Sequence, residues 1–371
     1  MTRVLQVSSA RAFGGGERHL ADLARGLHER GHEVLVALRE SSPLRDRLSF
    51  LPERNVYTLP LRNSIDIGSA RKLARIARER KADIIHAHVA RDYPPTAFAA
   101  RLAPASRFVI TRHVLFPLSR AHWLALSNVA RIIAVSEPVA RALRTQKIFD
   151  KDKIRVIENG VDRARFERER AAAELHIHGR LFRVGIIGEL SVIKGQEEFV
   201  RAAALIRHDF GERVEFLIAG EDNSRGREHR ARIERLVKEL NLANNVRLLG
   251  HVDDPSSLFA KLDVIVSASY SESFGMAMAE ALVCGVPVVA TATGGARSLI
   301  EDGVNGLLVP RGDVRALAAA VSSLLSDEER RLTLGAHARH SARERFSLER
   351  MLEATERVYE EALGRRSREV S

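Results

Sequence analysis

Residues 262–283 read LDVIVSASYSESFGMAMAEALV, and this stretch decides the fold class. Leu262 to Ser267 has the composition of a buried parallel strand, and Met276 to Val283 has the apolar density of a helix that is covered on both sides. A buried strand that leads through a short loop into such a helix is the repeating unit of α/β proteins. The stretch therefore predicts an α/β fold built on a parallel sheet.

The loop within this stretch contains residues suited to bind a ligand. Glu272 lies in the loop, and Glu280 lies about one and a half turns into the helix. Loops at the carboxyl edge of a parallel sheet bind ligands, and the helix start at residues 274–276 directs backbone amides towards an anion. Because carboxylates accept strong hydrogen bonds from sugar and ribose hydroxyls, two glutamates beside a phosphate indicate a nucleotide-sugar pocket. The alternative is a helix start with favourably placed acidic residues and no ligand.

Strand-like and helix-like runs alternate in two blocks along the chain, which predicts two doubly wound domains. A length of 371 residues agrees with two domains, and the contents of 45% hydrophobic and 29% charged residues are ordinary for a globular protein. The strands predicted for the first block are 3–8, 33–38, 83–86, 107–111, 132–135 and 153–157. Those predicted for the second block are 182–188, 214–219, 246–249, 264–267, 287–290 and 306–309.

No part of the sequence has the properties of a membrane span or of a secretion signal. The most apolar region, residues 281–293, is interrupted by Gly285 and Pro287 before it reaches the roughly 18 residues that a span needs. The amino terminus passes directly into a strand, and the single cysteine, Cys284, cannot form an internal disulfide. These features favour a cytoplasmic location, and we expect Cys284 to serve packing rather than chemistry.

The positive charge is concentrated in the first half of the chain. Residues 1–168 contain 31 Lys and Arg against 17 Asp and Glu, a net charge of +14, whereas the rest has 28 against 31, a net charge of −3. The densest basic segment, residues 69–81, places apolar residues on one helical face and cations on much of the remainder. This helix is suited to a peripheral contact with anionic membrane, and a solvated helix that covers the sheet is the alternative. With 5% aromatic residues and no recognisable binding module, the sequence does not favour nucleic acid as a partner.

Several motifs in a fixed order resemble those of glycosyltransferase family 4, the retaining enzymes with the two-domain GT-B fold. The segment 267–295 is similar to the donor-binding signature of that family, because Glu272 and Glu280 are separated by seven residues and enclose Phe274-Gly275. The resemblance extends over nearly the whole chain, and the motifs together are far more specific than any one of them. The other matching segments are GGGE at 14–17, VIENGVD at 156–162, KG at 194–195, GG at 294–295 and EDGVNGLLV at 301–309.

The resemblance implies a GT-B fold of two Rossmann-like domains that face each other across a cleft. It implies an acceptor-binding domain at 1–165, to which a last helix at about 348–371 returns, a linker at 166–180 and a donor-binding domain at 181–347. It further implies that a hexose-type sugar is transferred, with retention of configuration, from a UDP- or GDP-linked donor to a lipid-linked, polysaccharide or other glycan acceptor. No cofactor and no metal are expected for this chemistry.

The same resemblance assigns roles to individual residues. Glu272 is expected to hold the transferred sugar, Glu280 the ribose and Lys194 the leaving diphosphate. His113, at the carboxyl end of a predicted strand, matches the family's histidine that touches the sugar. The remaining residues of the predicted donor site are Gly15, Gly16, Ser273, Phe274, Gly275, Met276 and Arg297. For the glycines a plain tight turn is the alternative, because the G-x-G-x-x-G spacing is missing.

The sequence departs from the family pattern at two positions. Glu189 stands where the family usually has an arginine that contacts the diphosphate, five positions before Lys194. Because a carboxylate repels phosphate, either Glu189 points away, or another cation such as Arg297 replaces the arginine, or the donor binds differently. Ser298 stands where the family often has a glutamate after the Gly-Gly turn.

The other histidines do not predict a metal site. His86 and His88 alternate along a strand end, so only one of them can face the ligand edge, and no third ligand lies at a useful spacing. Residues 116–123 after His113 are expected to form a wall of the acceptor site, although Trp123 would equally suit a core.

The residues leave two other functions open. One is a non-glycosylating sugar-nucleotide enzyme of the same fold, such as a 2-epimerase. The other is a catalytically weak scaffold that binds nucleotide sugars, which Glu189 and the basic first domain would suit.

Overall fold

The computed structural model describes residues 1–118, 122, 125–146, 148–166, 181–224 and 226–365. The chain divides into two compact units. The first unit consists of Met1–Gly160 and the C-terminal segment that begins at Leu348, and the second unit is Val161–Ser347.

The described residues of the first unit form a seven-stranded parallel sheet flanked by helices. Its strands are β1 (Arg3–Ser8), β2 (Glu33–Arg39), β3 (Val56–Leu59), β4 (Ile84–Ala87), β5 (Arg107–Arg112), β6 (Val129–Ala134) and β7 (Ile154–Val156). They are arranged in the order β3-β2-β1-β4-β5-β6-β7. Its helices are α1 (Gly15–Glu29), α2 (Ile67–Glu79), α3 (Tyr93–Leu102), α4 (Glu137–Gln146) and, from the C-terminal segment, α12 (Leu348–Ala362).

The described residues of the second unit form a six-stranded parallel sheet. Its strands are β8 (Phe182–Ile187), β9 (Val214–Ala219), β10 (Val246–Gly250), β11 (Val264–Ser267), β12 (Val288–Thr291) and β13 (Leu307–Val309). They are arranged in the order β10-β9-β8-β11-β12-β13. Its helices are α5 (Gln196–Phe210), α6 (Glu228–Glu239), α7 (Ser256–Phe259), α8 (Met276–Cys284), α9 (Gly294–Leu299), α10 (Val314–Ser326) and α11 (Glu328–Arg345). The two parallel sheets with their helices confirm the predicted α/β class with two Rossmann-like domains.

The central strands are apolar at consecutive positions because helices cover both faces of each sheet. Residues 34–38 of β2 and residues 264–266 of β11 are all buried. Because no face of these strands is left to water, their sequences lack the alternation that marks a half-exposed strand. This is why the runs could be identified as strands from the sequence.

One strand was not predicted. β3 lies at the edge of the first sheet and pairs with β2 alone, through Val36 with Val56 and the three pairs that follow. Only Leu59 of its four residues is buried. An edge strand of this kind has no continuous apolar run, so the pattern that identified the central strands is missing.

The last helix packs into the core of the first unit. Met351, Leu352 and Tyr359 of α12 belong to the same buried cluster as Leu23 of α1. A side chain at Gly26 would lie 2.3 Å from Cδ1 of Leu352, so the close approach of α1 and α12 requires a glycine there.

The boundary between the units falls after Gly160, a few residues before the predicted end of the first domain at 165. Val161 donates its N–H to the Phe346 carbonyl oxygen at 2.8 Å and forms a β-bridge with Ser347. The Arg165 side chain forms an ion pair of 2.5 Å with Asp254. These contacts join residues 161–165 to the second unit. Most of the predicted linker, residues 167–180, lies outside the described residues.

Candidate functional site

Both sheets reverse their order of winding at one point, and most of the predicted site residues lie near these points. The switch falls between β1 and β4 in the first unit and between β8 and β11 in the second. Gly15 and Gly16 follow β1, whereas Lys194 follows β8 and Glu272 follows β11. Because the connections that leave the two central strands run to opposite faces of the sheet, a switch point leaves a crevice at the carboxyl ends of these strands, where α/β proteins bind ligands.

In the second unit, the loops after β8 and β11 are packed against each other. Tyr270 donates its backbone N–H to the Ile193 carbonyl oxygen at 2.8 Å. Gly195 has a φ of +71°, and a side chain at this position would lie 2.1 Å from the Ala268 carbonyl oxygen. Only glycine permits both this backbone angle and this contact. Gly195 therefore holds Lys194 beside the loop that carries Glu272.

Lys194 and Glu272 form an ion pair. The Nζ of Lys194 lies 2.7 Å from Oε2 of Glu272, which also accepts a hydrogen bond of 3.3 Å from Oγ of Ser269. The Lys194 side chain is 32% exposed and the Glu272 side chain 11%. The sequence predicted both residues for the site, and the structure brings them together. The site thus presents a cation and a carboxylate side by side, where an incoming ligand can exchange partners with them.

A glycine sets the turn between Glu272 and α8. Gly275 precedes α8 with a φ of +102°, and a side chain there would lie 2.2 Å from the end of Met278. Phe274 is buried and packs edge to face on Phe346 with ring centroids 5.9 Å apart. α8 begins at Met276, as the sequence predicted to within a residue. Its first amides, with Ser273 and Phe274 just before them, form the positive end of the helix.

The Gly-Gly pair that begins α9 also supports the loop that carries Glu272. Gly295 donates its N–H to the Glu272 carbonyl oxygen at 2.9 Å. A side chain at Gly295 would lie 2.7 Å from the carbonyl oxygen of Glu272 and 2.8 Å from that of Phe274. Backbone atoms cannot rotate away as a side-chain end can, so this glycine fixes the position of the Glu272 loop.

Two further predicted residues differ in burial. Glu280 lies in α8 and is 4% exposed, so its carboxylate is held within the protein. Arg297 lies in α9 and is exposed, and no side-chain hydrogen bond or ion pair joins it to any residue that the structure describes. The role of Arg297 as a replacement for the family's arginine stays a prediction.

Glu189 points its carboxylate towards a neutral partner. Its Oε1 accepts a hydrogen bond of 3.2 Å from Nδ2 of Asn223, and its backbone carbonyl oxygen accepts one of 2.9 Å from Nε2 of Gln196. Ser298 donates its hydroxyl to the Gly295 carbonyl oxygen at 2.7 Å, within α9. Both departures from the family pattern are therefore accommodated by local hydrogen bonds.

In the first unit, the predicted glycines and the predicted histidine are neighbours. Gly14 donates its N–H to Oε2 of Glu17 at 3.0 Å, and α1 begins at Gly15. A side chain at Gly16 would lie 3.5 Å from the His113 ring. Burial is the main cause that holds the pKa of His113 well below its ordinary value, so the imidazole is neutral at neutral pH.

Sequence reasoning missed His19. This residue is 3% exposed, and its ring lies 4.9 Å from that of His113 and 5.8 Å from that of His88. The signal was present in the sequence, because His19 precedes Leu23 and Leu27 by four and eight residues and so shares the apolar face of α1. A polar ring on such a face needs an explanation.

The predicted acceptor wall is only partly described. Phe116 is 62% exposed, and its carbonyl oxygen accepts a hydrogen bond from the Arg112 guanidinium. Leu118 is buried. Residues 119–121 and Trp123 lie outside the described residues.

The helices in the described part of the chain do not have the properties of membrane spans. None of them combines the length and the apolar character that a bilayer crossing requires.

Comparison with known families assigns both units. Residues 13–165 match the model of Glycosyltransferase Family 4, and residues 167–341 match the model of Glycosyl transferases group 1. Together the two matches span residues 13–341.

Two curated relatives illustrate the range of the family. The D-inositol 3-phosphate glycosyltransferase of Salinispora arenicola is 32% identical in an alignment 253 residues long, which covers 64% of this chain and 56% of the relative. The N-acetyl-alpha-D-glucosaminyl L-malate synthase of Bacillus anthracis is 28% identical in an alignment 370 residues long, which covers 92% of each chain. The chain thus spans about half the length of the inositol 3-phosphate glycosyltransferases that it matches.

Among solved structures, HepE of Anabaena has the same fold. Its crystal structures with UDP and glucose and with UDP-glucose superpose with a TM-score of 0.83 at 24% identity, covering 96% of this chain and 99% of HepE. This agreement extends over both sheets. On the two family matches, the chain belongs to the group 1 glycosyltransferases, glycosyltransferase family 4.

Proposed function

We propose that this chain transfers a hexose-type sugar from a UDP-linked donor to a hydroxyl group of an acceptor, with retention of configuration. The observation that carries the proposal is the Lys194–Glu272 ion pair of 2.7 Å at the switch point of the second sheet, beside the start of α8. HepE, which has the same fold, has been crystallised with UDP and with UDP-glucose, and this supports uridine as the base.

The ion pair suits a reaction in which charge separates. When the bond between the anomeric carbon and the diphosphate breaks, negative charge grows on the phosphate and positive charge on the sugar ring. The Lys194 ammonium then exchanges its contact with Glu272 for a contact with the diphosphate. The diphosphate also faces the backbone amides at the start of α8. Glu272, released from its lysine, accepts hydrogen bonds from the sugar hydroxyls and stabilises the ring cation.

The other predicted residues have further roles in the proposed reaction. Glu280 holds the ribose hydroxyls from within α8, and Arg297 supplies the second cation for the diphosphate. In the first unit, His113 contacts a hydroxyl of the transferred sugar, and Gly15 and Gly16 let the backbone approach the diphosphate.

In a single displacement, without a covalent intermediate on the protein, retention requires that the acceptor oxygen attack from the side that the diphosphate leaves. In the proposed step the bond from the anomeric carbon to the phosphate oxygen breaks, and the bond to the acceptor oxygen forms on the same face. The acceptor proton passes to an oxygen of the leaving diphosphate, so no cofactor and no metal ion are needed for the transfer.

We further propose that the acceptor is a glycan or lipid-linked molecule with an anionic group. Arg39, at the end of β2, and Arg91, after β4, each bury one guanidinium nitrogen that has no hydrogen-bond partner among the described residues. Both lie at the carboxyl edge of the first sheet, where β2 and β4 flank β1. A phosphate or carboxylate is the natural partner of a buried guanidinium. The two relatives are named for inositol 3-phosphate and malate, which are anionic.

The basic face of α2 supports a contact with anionic lipid at the cytoplasmic side of a membrane. Four cations line a groove of about 300 Å³ between α2 and Leu102 of α3, namely Arg71, Lys72, Arg75 and Arg78. Ile67, at the start of α2, is 56% exposed. In co-sedimentation, we expect binding to vesicles with phosphatidylglycerol, none to phosphatidylcholine, and loss of binding in Arg71→Glu/Arg75→Glu. Equal binding to both vesicle types would mean that the positive charge of α2 does not direct binding, and would favour the alternative of a solvated helix that covers the sheet.

The donor is tested by thermal unfolding with a panel of nucleoside diphosphates and their sugars. A ligand at 100 times its dissociation constant stabilises by about 2.7 kcal/mol, which raises the unfolding temperature by about 5 °C or more. We expect this rise with one UDP-sugar and a smaller one in Lys194→Ala. Turnover is then measured with anionic hydroxyl acceptors.

The outcomes separate the three functions. Transfer of the sugar to an acceptor supports the proposal. Free UDP and an epimerised sugar without acceptor would identify an epimerase, and tight donor binding without any turnover would identify a scaffold. No stabilisation by any nucleotide would overturn the assignment of the donor site.

A further inference from the structure

The switch point of the first unit contains a cluster of three histidines from separate elements. His19 lies in α1, His88 follows β4 and His113 follows β5. The His88 and His113 ring centroids are 5.9 Å apart, and that of His19 lies 5.8 Å from the first and 4.9 Å from the second. One nitrogen from each ring lies within 4.8 Å of the other two.

Two of these rings bury nitrogen atoms that make no hydrogen bond within the part of the chain that the structure describes. These atoms are both ring nitrogens of His19 and Nδ1 of His88. The Asn159 side chain is close enough to act on the pKa of His19, but it makes no hydrogen bond of normal geometry with the ring. Because buried polar atoms are almost always hydrogen-bonded, three such nitrogens in one place indicate a site built for a ligand.

A chain of hydrogen bonds fixes which nitrogen of His88 carries the proton. Gln6 donates its Nε2–H to Oη of Tyr359 at 3.2 Å, so its amide oxygen faces Nε2 of His88 at 2.7 Å. Nε2 of His88 is therefore the donor, and Nδ1 carries the lone pair. His86 differs, because its two nitrogens are engaged by Tyr359 and Thr111, each at 2.7 Å. A histidine that binds a metal ion typically donates its other N–H to an acceptor of this kind.

Burial keeps the three rings in the form that coordinates metals. It lowers the pKa of His19 to about 4 and holds those of His88 and His113 well below their ordinary values. Neutral imidazole, and not imidazolium, binds a metal ion. The guanidinium of Arg112, the last residue of β5, is directed to the Phe116 carbonyl oxygen.

The distances are compatible with a tetrahedral ion. In a tetrahedral site, a zinc–nitrogen distance of about 2.0–2.1 Å places the ligand nitrogens about 3.4 Å apart. The three ring nitrogens lie within 4.8 Å of one another, so each ring needs to move by only about 1 Å to bind the same ion. Three imidazoles leave one position for water, and imidazole ligands suit Zn²⁺, Ni²⁺ and Cu²⁺.

We propose that His19, His88 and His113 bind one divalent transition-metal ion, Zn²⁺ or an ion of similar chemistry, through one ring nitrogen each. The ion ties α1 to the ends of β4 and β5 and thereby stabilises this edge of the first unit. Metal binding at this site can be measured without any sugar transfer, although His113 takes part in both proposals.

The test is a Co²⁺ titration of the full chain, without a histidine tag and after treatment with a chelator. We expect one equivalent of Co²⁺ to bind, to give the visible absorption of a four-coordinate site, and to be displaced by Zn²⁺. In His19→Phe the affinity should fall at least 100-fold, which exceeds the roughly 10–100-fold effect of losing a partner of a ligand. His208→Ala is the matched control, because His208 is 88% exposed and should leave the affinity unchanged.

His19→Phe keeps a ring of similar size and removes no hydrogen bond, so it should fold, which circular dichroism checks. If His19→Phe does not fold, the Co²⁺ affinity of Gln6→Leu tests the proposal instead. Loss of the hydrogen bond from His88 to Gln6 should weaken Co²⁺ binding about 10-fold or more. Failure of the wild-type chain to bind one equivalent of Co²⁺ overturns the proposal. Equal Co²⁺ affinities of His19→Phe and His208→Ala would also overturn the proposal. An unchanged Co²⁺ affinity in a folded Gln6→Leu would do the same.

Discussion

The two switch points have the same backbone design but different side chains, since one has an ion pair and the other a cluster of histidine rings. In each, loops from two neighbouring parallel strands meet beside the start of a helix that follows a glycine. In the second unit a carboxylate and an ammonium are paired at 2.7 Å, at Glu272 and Lys194. In the first unit the rings of His19, His88 and His113 are neutral, and the buried carboxyl of Asp92 accepts a hydrogen bond from the Ser9 N–H.

This difference shows that topology decides where a ligand binds, whereas the side chains decide which ligand. A preformed ion pair suits a charged ligand that separates its own charges during the reaction, because each member already has a counter-charge in the free protein. Neutral rings suit uncharged hydroxyl groups or a metal ion. Changes that alter the charges or the support of one site, and not of the other, test this interpretation.

The largest expected effect is on turnover in Glu272→Gln. This change leaves Lys194 without its counter-charge and removes the negative charge beside the sugar ring. We expect turnover to fall by about 100-fold or more, because one preorganised electrostatic contact with the transition state is worth about 3–4 kcal/mol. The dissociation constant of the donor should change less than about 10-fold, since the loss falls on the transition state. Steady-state kinetics and calorimetry measure the two quantities.

Glu329→Gln serves as the control for this change. Glu329 is an exposed residue in the first turn of α11, so its loss should leave both quantities unaltered. If Glu272→Gln weakened donor binding as much as turnover, Glu272 would be a binding residue without a special role in the transition state.

The second largest expected effect is on thermal stability, and it differs between the glycines that support the two sites. Gly295→Ala places a carbon 2.7 Å and 2.8 Å from two backbone oxygens of the Glu272 loop, whereas Gly16→Ala places one 3.5 Å from the His113 ring. The first contact forces the loop to move, which typically costs about 1–3 kcal/mol, and the second is an ordinary packing distance. We expect the thermal midpoint to fall by about 5 °C in Gly295→Ala and to stay within about 1 °C in Gly16→Ala. Equal shifts would show that the support of the two sites does not differ.

The parts of the structure that the sequence could predict are those encoded within single segments. The strand, loop and helix from Leu262 to Val283 follow one another in the sequence, so an apolar run and a glycine were enough to identify them. The Lys194–Glu272 contact was not predictable in this way, because it depends on how two separate loops pack around Gly195. Each residue was predicted, and their pairing was not.

The histidine cluster was missed for a related reason. The sequence places His86 and His88 close together in the chain but shows no third ligand at a useful spacing. The two rings that lie beside His88 come from α1 and from the residue after β5, a strand that the sheet order brings beside β4. Nothing in a local pattern shows which side chains a parallel sheet places at one edge.

The smallest effect concerns the buried acid of the first site. Asp92 is 1% exposed and accepts a hydrogen bond of 2.6 Å from the Ser9 N–H. Burial raises the pKa of its carboxyl from 3.8 to about 6, against the lowering effects of Ser9 and Arg91. Between these two values the folded state binds more protons than the unfolded state, so the contribution of Asp92 to stability falls as the pH rises.

From about pH 5 to about pH 7.5 this contribution should decrease by about 1.4 kcal/mol. Asp92→Asn keeps an acceptor for the Ser9 N–H and removes the charge, so it should gain about that much relative to the wild type over the same interval. Urea unfolding of both proteins at the two pH values measures the difference, and effects of the histidines cancel because both proteins contain them. A constant difference at the two pH values would mean that the Asp92 carboxylate is compensated in the folded protein. The first site would then resemble the second in pairing its charges, and the contrast between them would be limited to the histidine rings.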